Sequence, residues 1–268
     1  MPHLHLSDGD LWWEECGEGP PLMMVAGLGG VGGYWNPNIP AFASRYRVIR
    51  HDQRGTGKSS RTRVASIEQM AADAAALIDH LGLRDVAWLG HSTGGAIGVS
   101  LALDYPGRIG RLIINSSTSC GDAYRRKLFS VRRLLHSRVG PEAYAAFTSL
   151  LLYPPWWINQ NAALLETEEA RAAASLGAPE VQESRLDAIL AFDRRSELKR
   201  LDIPTLVICA KDDLLTPSYF SKELASLIPN AKLDLLETGG HACSRTMMDV
   251  FNKTVLDFLS EHSAFAAG

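Results

Sequence analysis

A chain of 268 residues is long enough for one sizeable core with an insertion, or for two small domains. Its composition, 46% hydrophobic and 21% charged, is that of an ordinary soluble globular protein. A net charge of −3 gives no electrostatic reason to expect nucleic acid or an anionic membrane as a partner, and the four cysteines are too scattered to form a metal site.

The N-terminus carries no recognisable targeting signal, because residues 1–5 include neither a basic region nor an apolar core. The apolar segment 22–26 is too short to span a bilayer. We therefore expect a cytoplasmic protein without a membrane partner.

Short apolar segments alternate with helix-like segments along most of the chain. Six of them are predicted to be strands, and most of the six are nearly continuous in apolar residues, as parallel strands covered on both faces are. They are 22–26, 46–51, 86–89, 111–115, 205–210 and 232–236. Four others have helical patterns: 66–81, 95–105, 217–227 and 246–259. The alternation predicts an α/β protein with a parallel sheet.

The alternation stops between residues 119 and 201, where only helical patterns and turns occur. Four helices are predicted there, over 122–138, 141–152, 162–176 and 179–198. We therefore divide the chain into a core of residues 1–118 and 202–268 and a helical insertion of residues 119–201. Its first helix has five basic residues that could attract a carboxylate, although a solvated helix face explains them more simply: Arg125, Arg126, Lys127, Arg132 and Arg133.

Residues 27–32 match the glycine pattern of dinucleotide-binding proteins, G-x-G-x-x-G, and follow a predicted strand. Asp52, at the end of the next strand, stands where that motif has its acidic residue. However, Pro37 and Pro40 prevent the helix that should begin directly after the glycines. Nucleotide binding therefore ranks below hydrolysis.

Residues 54–59 end like a phosphate-binding P-loop, but Asp52 stands where that motif needs its first glycine, and no helix follows directly. A structural loop is the better interpretation. Asp52 and Arg54 could pair to fix its turn.

Ser92 stands in Gly90-His91-Ser92-Thr93-Gly94, between a predicted strand and a predicted helix. A Gly-x-Ser-x-Gly at such a junction is a nucleophile elbow, a sharp turn that exposes one hydroxyl in a cleft. The glycines are needed because the turn leaves no room for Cβ atoms. Ser92 is therefore the predicted nucleophile.

A serine hydroxyl needs a base to take its proton and an acid to orient that base. Asp212 and Asp213, which follow the strand 205–210, are both candidates for the acid. His241 is the candidate base, because it follows the last strand and precedes the last helix. The other histidines lie near the termini, within helices or the insertion, or beside Asp52 and Ser92, where local packing explains them better.

An oxyanion hole needs two backbone N–H groups directed at the developing negative charge. Thr93, next to the nucleophile, should supply one, and Leu28 in the glycine loop the other. Gly27 would let the backbone approach the substrate closely.

Four aromatic residues could form an apolar wall of a substrate pocket, although for any single one a role in packing is simpler. They are Trp35, Tyr153, Trp156 and Trp157.

Together these motifs resemble the α/β-hydrolase family over residues 17–259. The resemblance implies an eight-stranded, mostly parallel sheet flanked by helices, with the helical insertion as a lid over the site. It also favours Asp213 over Asp212, because the family's acid usually stands four residues before a helix-opening proline, here Pro217.

Within the family the chain is similar to the aminoacrylate hydrolases of pyrimidine breakdown (the RutD group) and to small carboxylesterases. The segments that carry this likeness are 102–106, 151–154, 212–215 and 239–243. Relatives such as haloalkane dehalogenases have an aspartate at the elbow, so Ser92 directs the expected chemistry to acyl transfer.

The sequence thus predicts a carboxylesterase-like serine hydrolase that cleaves small carboxylic esters or related acyl compounds through an acyl-enzyme. A small acyl compound is the expected partner, with no metal and no organic cofactor, and a homodimer stays open. One alternative is an aminoacrylate-type C–N hydrolase of pyrimidine catabolism. Another is a non-catalytic small-molecule receptor that keeps the triad.

Overall fold

The computed structural model describes residues 2–262, and its strands form one eight-stranded sheet in the order β1–β2–β4–β3–β5–β6–β7–β8. Strand β2 pairs antiparallel with β1 and β4, and every other neighbouring pair is parallel. The predicted α/β fold with a mostly parallel sheet is therefore confirmed. The strands are β1 (His3–Leu6), β2 (Gly9–Cys16), β3 (Pro21–Val25), β4 (Arg47–His51), β5 (Val86–His91), β6 (Ile109–Asn115), β7 (Thr205–Ala210) and β8 (Lys232–Leu236).

The six segments predicted as strands correspond to β3–β8, whereas β1 and β2 had not been located in the sequence. Strand β1 lies at the edge of the sheet and is only partly buried, and β2 ends in the exposed Glu15 and the half-buried Cys16. A continuous apolar pattern marks strands that are covered on both faces, so it does not detect this antiparallel edge.

Helices cover both faces of the sheet. Along β5, Val86 and Trp88 enter one hydrophobic cluster, whereas Ala87 and Leu89 enter the other. The first cluster includes residues of α2 (Ile67–His80), α3 (Thr93–Asp104) and α9 (Ser218–Leu227). The second includes residues of α1 (Ile39–Ala43), α10 (Cys243–Thr246) and α11 (Met248–Glu261). Strand β5 is buried along its whole length, which gives the turn after it a rigid base.

Between β6 and β7 the chain forms α4 (Ala123–Leu134), α5 (Pro141–Leu152), α6 (Pro155–Gln160), α7 (Ala162–Ser175) and α8 (Pro179–Ala191). Two predicted boundaries were wrong. The helix predicted over 122–138 changes to a π-turn at Leu135–Val139. The helix predicted over 179–198 ends at Ala191, because buried Phe192 is extended and Asp193 forms a β-bridge with Cys120.

None of the helices described is both long enough and apolar enough to cross a membrane.

Candidate active site

Ser92 occupies a strained turn between β5 and α3. Its φ of 52° and ψ of −114° lie in a region that residues other than glycine rarely adopt. Ser92 N donates to Asn115 O at 2.8 Å, and Ser92 O accepts from Gly95 N at 2.9 Å and from Ser117 Oγ at 2.6 Å. The surrounding chain therefore fixes where the Ser92 hydroxyl lies.

Gly90 and Gly94 make this turn sterically possible. A Cβ atom on Gly90 would lie 2.2 Å from Gly94 O, and one on Gly94 would lie 2.3 Å from Val25 O. Both distances are too short for any side chain, so β3, β5 and α3 approach this closely only with glycine at the two positions.

Asp213 and His241 form a buried pair at the ends of β7 and β8. His241 Nδ1 lies 2.9 Å from Asp213 Oδ2, and the side chains of both residues are at most 1% exposed. Asp213 Oδ1 also accepts from Leu215 N and Thr216 N, each at 2.8 Å. Since Nδ1 donates to the carboxylate, His241 Nε2 is the acceptor nitrogen. This buried Nε2 has no hydrogen-bond partner among residues 2–262, so it is free to receive a proton.

Asp212 holds the loop that carries His241, whereas Asp213 contacts its ring. The Asp212 carboxylate accepts from Thr238 Oγ1 at 2.6 Å and from Gly240 N at 2.8 Å. The two neighbouring acids therefore have different hydrogen-bond partners, and Asp213 is the one paired with His241.

His91 packs beneath the same loop. Its Nε2 donates to His241 O at 3.0 Å, and its ring stacks on Tyr34 with centroids 4.6 Å apart. Burial, and to a lesser degree the neighbouring His241, lowers the pKa of His91 well below its usual value. His91 is therefore neutral at physiological pH and serves to position His241.

Leu28 and Thr93 present the two backbone N–H groups that the sequence assigned to an oxyanion hole. Thr93 is the first residue of α3, where N–H groups have no partner within the helix. Within the described chain neither N–H donates a hydrogen bond to another residue. Both donors are thus available to a ligand.

Arg185, which sequence reasoning missed, holds the Leu28 loop in place. This residue of α8 is fully buried, and its guanidinium donates to Leu28 O at 3.0 Å, to Arg54 O at 2.6 Å and to Gln53 Oε1 at 2.6 Å. A single arginine in a helical pattern gives no sequence signal for such a contact. The insertion therefore fixes the position of one candidate oxyanion donor.

Two cavities lie between the sheet and the helical insertion. The smaller one, called here the Ser92 chamber, has a volume of about 10 Å³, room for roughly one water molecule. The larger one measures about 260 Å³ and is bounded by the glycine loops, α5 and α7. The Ser92 chamber is lined by Ser92, Thr93, Ala96, Ser117, Thr118, Arg125, Ile189, Phe192 and Thr216.

Of the predicted substrate-binding residues, only Tyr153 lines the larger cavity. Trp35 is fully buried in the core against Phe251, with ring centroids 6.2 Å apart. The Trp157 ring stacks on the Tyr153 ring, with ring centroids 4.4 Å apart. These two tryptophans thus pack the protein instead of lining either cavity, and for them the expectation is corrected.

Trp156 and Gly27 also lie outside both cavities. Trp156 is 38% exposed, and its Nε1 donates to Thr238 Oγ1 at 3.2 Å. A Cβ atom on Gly27 would lie 3.0 Å from His91 Nδ1, so this glycine admits the His91 ring and does not line a cavity.

The two glycine-rich loops are tied to each other. Asp52 accepts from Gly32 N and from Lys58 N, each at 2.8 Å. The suggested pair between Asp52 and Arg54 was wrong, because Arg54 forms a two-pronged ion pair with Asp73, at 2.7 and 2.9 Å. In a dinucleotide-binding protein the Asp52 carboxylate would bind a ribose hydroxyl. Here it already accepts hydrogen bonds from backbone N–H groups.

The basic residues of α4 do not form one solvated face. Arg126 and Lys127 are exposed, but Arg125 and Arg132 are only 2% and 3% exposed. The simpler explanation given above is therefore wrong for these two arginines.

Within residues 2–262 no group of three or more His, Cys, Asp or Glu side chains is placed to hold a metal ion.

The turns after β5, β7 and β8 bring a serine, an aspartate and a histidine together at one edge of a mostly parallel sheet, as in α/β hydrolases. The chain belongs to the α/β-hydrolase family, whose model matches residues 20–243. This makes it a hydrolase of that fold, as the sequence predicted.

Within the family the chain falls in the RutD-like group. It is 42% identical over 262 residues to the "Putative carbamate hydrolase RutD" of Azorhizobium caulinodans, covering 97% of this chain and 99% of the relative. It is 40% identical to the protein of the same name from Stutzerimonas stutzeri, with 91% and 93% covered. The structure of the enol-lactonase from Burkholderia xenovorans LB400 is similar with a TM-score of 0.89 and 26% identity, covering 97% of this chain and 100% of that one.

Proposed function

We propose that this protein is a serine hydrolase of small acyl compounds and that its first candidate substrate is a carbamate. The observation that carries the proposal is the buried pair between Asp213 and His241 at 2.9 Å, in which His241 Nε2 stays without a hydrogen-bond partner among residues 2–262. The relatives named as carbamate hydrolases support the substrate.

In the first half-reaction His241 Nε2 takes the proton of the Ser92 hydroxyl, and Ser92 Oγ attacks the carbonyl carbon. The N–H groups of Leu28 and Thr93 stabilise the negative oxygen that develops. The imidazolium, oriented by Asp213, then returns the proton to the nitrogen as the C–N bond breaks. Carbamate and serine thus give ammonia and a carboxylated Ser92.

In the second half-reaction His241 takes a proton from water, and the hydroxide attacks the carbon of the carboxylated serine. The bond to Ser92 Oγ breaks, and that oxygen recovers its proton from His241. Bicarbonate leaves and the free enzyme is restored. The same two steps would cleave an ester, with an alcohol in place of ammonia.

A small ester or lactone is the second candidate. The cavity of about 260 Å³ beside Leu28 and Gly29 offers room for a leaving group larger than ammonia. The similarity to a solved enol-lactonase at 26% identity points in the same direction.

A stopped-flow experiment with freshly dissolved ammonium carbamate tests the proposal. Hydrolysis near neutral pH consumes a proton as ammonia becomes ammonium, so a pH indicator reports the rate. We expect the wild-type protein to accelerate proton uptake beyond spontaneous decay, and we expect Ser92→Ala to match the spontaneous rate. Equal acceleration by both proteins would show that Ser92 is not the nucleophile.

Parallel assays separate the candidates. Turnover of p-nitrophenyl acetate without acceleration of carbamate decay would select the ester hydrolase. Tight binding of small acyl compounds with negligible turnover of any of them would select a receptor.

A further inference from the structure

The arginines buried in the described part of the chain fall into three groups. Four of the seven pair with carboxylates, and Arg185 is satisfied by backbone and amide oxygens. Arg125 and Arg132, about two turns apart on α4, have no carboxylate partner within residues 2–262. The four paired residues are Arg50, Arg54, Arg111 and Arg194.

Arg125 is the least satisfied of these cations. A guanidinium has five N–H donors, yet the hydrogen bond that its side chain makes within residues 2–262 is a long one, 3.5 Å from Nη1 to Cys120 O. Its Nε is buried without a partner. The rings of Phe129 and Phe220 lie 5.1 and 5.8 Å from its Cζ atom, so aromatic faces replace part of the lost hydration.

The acidic group nearest along the chain is already engaged. Asp122 accepts from the backbone N–H of Arg125 at 2.8 Å and from the hydroxyl of Tyr219 at 2.5 Å. The other negative group close enough to affect Arg125 is Asp213, which is committed to His241. Burial lowers the pKa of Arg125 to about 10, so the side chain still carries its charge at neutral pH.

The unpaired charge of Arg125 lies beside the candidate nucleophile. It lines the Ser92 chamber together with Ser92 and Thr93, and the other lining residues are uncharged. Because the Ser92 chamber holds about one water molecule, an atom inside it would lie close to both Arg125 and Ser92. Arg132 differs, since it lines the larger cavity, donates to Thr148 Oγ1 and lies over the Tyr144 ring.

We propose that Arg125 is a specificity-determining residue that binds a negatively charged oxygen of the substrate next to the scissile carbon. The natural substrate would then be a small carboxylate or carbamate anion instead of a neutral ester. A carbamate resists nucleophilic attack because it already carries a negative charge. A guanidinium on one oxygen offsets that charge while Leu28 and Thr93 receive the other oxygen. This inference rests on the proposed function, in which Ser92 is the nucleophile.

The test combines an uncharged probe of Ser92 with a small anion. A fluorophosphonate labels a reactive serine without needing Arg125, and bicarbonate or formate should slow that labelling competitively by placing one oxygen in the Ser92 chamber beside Arg125. The proteins compared are wild type, Arg125→Met and the matched control Arg126→Met, which removes the same charge from an exposed position on the same helix.

We expect bicarbonate to protect wild type and Arg126→Met equally. In Arg125→Met, the concentration needed for protection should rise by about 10- to 100-fold, the loss typical of a hydrogen bond to a charged group. Protection is expressed relative to each variant's own labelling rate without bicarbonate, so a change in the reactivity of Ser92 does not enter the comparison. The methionine variant should also melt at or above the wild-type temperature, since an unpaired buried charge has been removed.

Equal protection of wild type and Arg125→Met would overturn the role of Arg125, as would an absence of protection in wild type that labels normally. Failure of wild type itself to label would instead contradict Ser92 as the nucleophile. If Arg125→Met does not fold, Arg125→Lys decides: protection weakened by about 3- to 10-fold supports the proposal, because the charge remains without the planar fork, and unchanged protection overturns it.

Discussion

The sheet and the helical insertion meet at the active site, but their polar groups are satisfied to very different extents. At the edge of the sheet, Asp213 accepts hydrogen bonds from two backbone N–H groups and from His241, and Asp212 accepts from the loop that precedes His241. On the insertion, Arg125 faces the Ser92 chamber with most of its donors unused. Polar groups whose hydrogen bonds are all made fix the geometry of a site. Polar groups with unused donors beside a cavity can instead bind a ligand. The difference suggests that the sheet supplies the reaction and the insertion supplies the selectivity.

The largest expected effect separates the two neighbouring acids on the sheet. Asp213→Asn should lower kcat for p-nitrophenyl acetate on the order of 10⁴-fold, because an amide cannot hold His241 in the tautomer that leaves Nε2 free. Asp212→Asn keeps the ring partner and weakens the contacts to Thr238, Gly239 and Gly240, so a loss of about tenfold or less is expected. Steady-state kinetics of both variants are the measurement. A larger loss in Asp212→Asn than in Asp213→Asn would contradict the pairing.

The chemistry of the site was predictable because each part has a local signature. Ser92 lies between two glycines at a strand–helix junction, and His241 and Asp213 follow apolar strands in the expected order. Likewise, β3, β5 and β7 are largely buried and nearly continuous in apolar residues, so their positions could be predicted from the sequence.

The walls of the site could not be read in this way, because their roles depend on contacts between distant segments. Trp35 and Arg185 illustrate both directions of error. Trp35, which is close to the glycine loop in sequence, lies in the core and packs on Phe251. A basic residue 157 positions from Leu28 became the group that fixes that loop. Arg125 and exposed Arg126 are neighbours in sequence, and only the packing of α4 distinguishes them.

The next prediction compares two buried arginines of the insertion. Arg185→Met should destabilise the protein by about 3 kcal/mol, because three acceptors, Leu28 O, Arg54 O and Gln53 Oε1, would be left buried without donors. Arg125→Met should cost nothing comparable, since it leaves no strong acceptor behind. Urea unfolding of the two variants measures the difference. Similar losses in both would show that Arg125 also has a structural role.

The pH dependence of stability should also differ between the two regions. His51, on the sheet, is fully buried, and burial lowers its pKa from 6.5 to about 4. Between these pH values His51 is protonated in the unfolded chain but not in the folded chain. The contribution of His51 to the free energy of unfolding is therefore full above pH 6.5 and is lost as the pH drops toward 4. This single group accounts for about 3 kcal/mol over that range.

The matched variants are His51→Phe on the sheet and His136→Phe on the insertion. His136 is only half-buried, and burial lowers its pKa to a lesser extent. Thermal unfolding between pH 7.5 and 4.5 should show a flatter profile for His51→Phe and a nearly unchanged one for His136→Phe. His91, whose pKa is lowered in the same direction, leaves some acid sensitivity in both variants. Profiles that are flattened equally would contradict the assignment to the sheet.

The smallest expected effect concerns the ion pair that joins the two regions. Arg245 of α10 donates to both carboxylate oxygens of Glu168 on α7, at 2.8 and 3.0 Å, and also to Tyr153 Oη at 2.6 Å. The pair is partly exposed, so Glu168→Gln should cost no more than about 1 kcal/mol, and the cost should shrink as salt screens the charges.

Hydrogen exchange of the α7 amides at low and high salt measures this contact more directly than global unfolding does, because the insertion can open while the sheet stays folded. At low salt we expect exchange in Glu168→Gln to be up to about fivefold faster than in wild type, and at high salt the two should converge. Glu166→Gln is the control, since Glu166 is exposed and forms no ion pair within residues 2–262. Acceleration that is independent of salt, or equal in the control, would mean that packing alone holds α7 against the core. In that case the attachment of α7 to the core would have no electrostatic component.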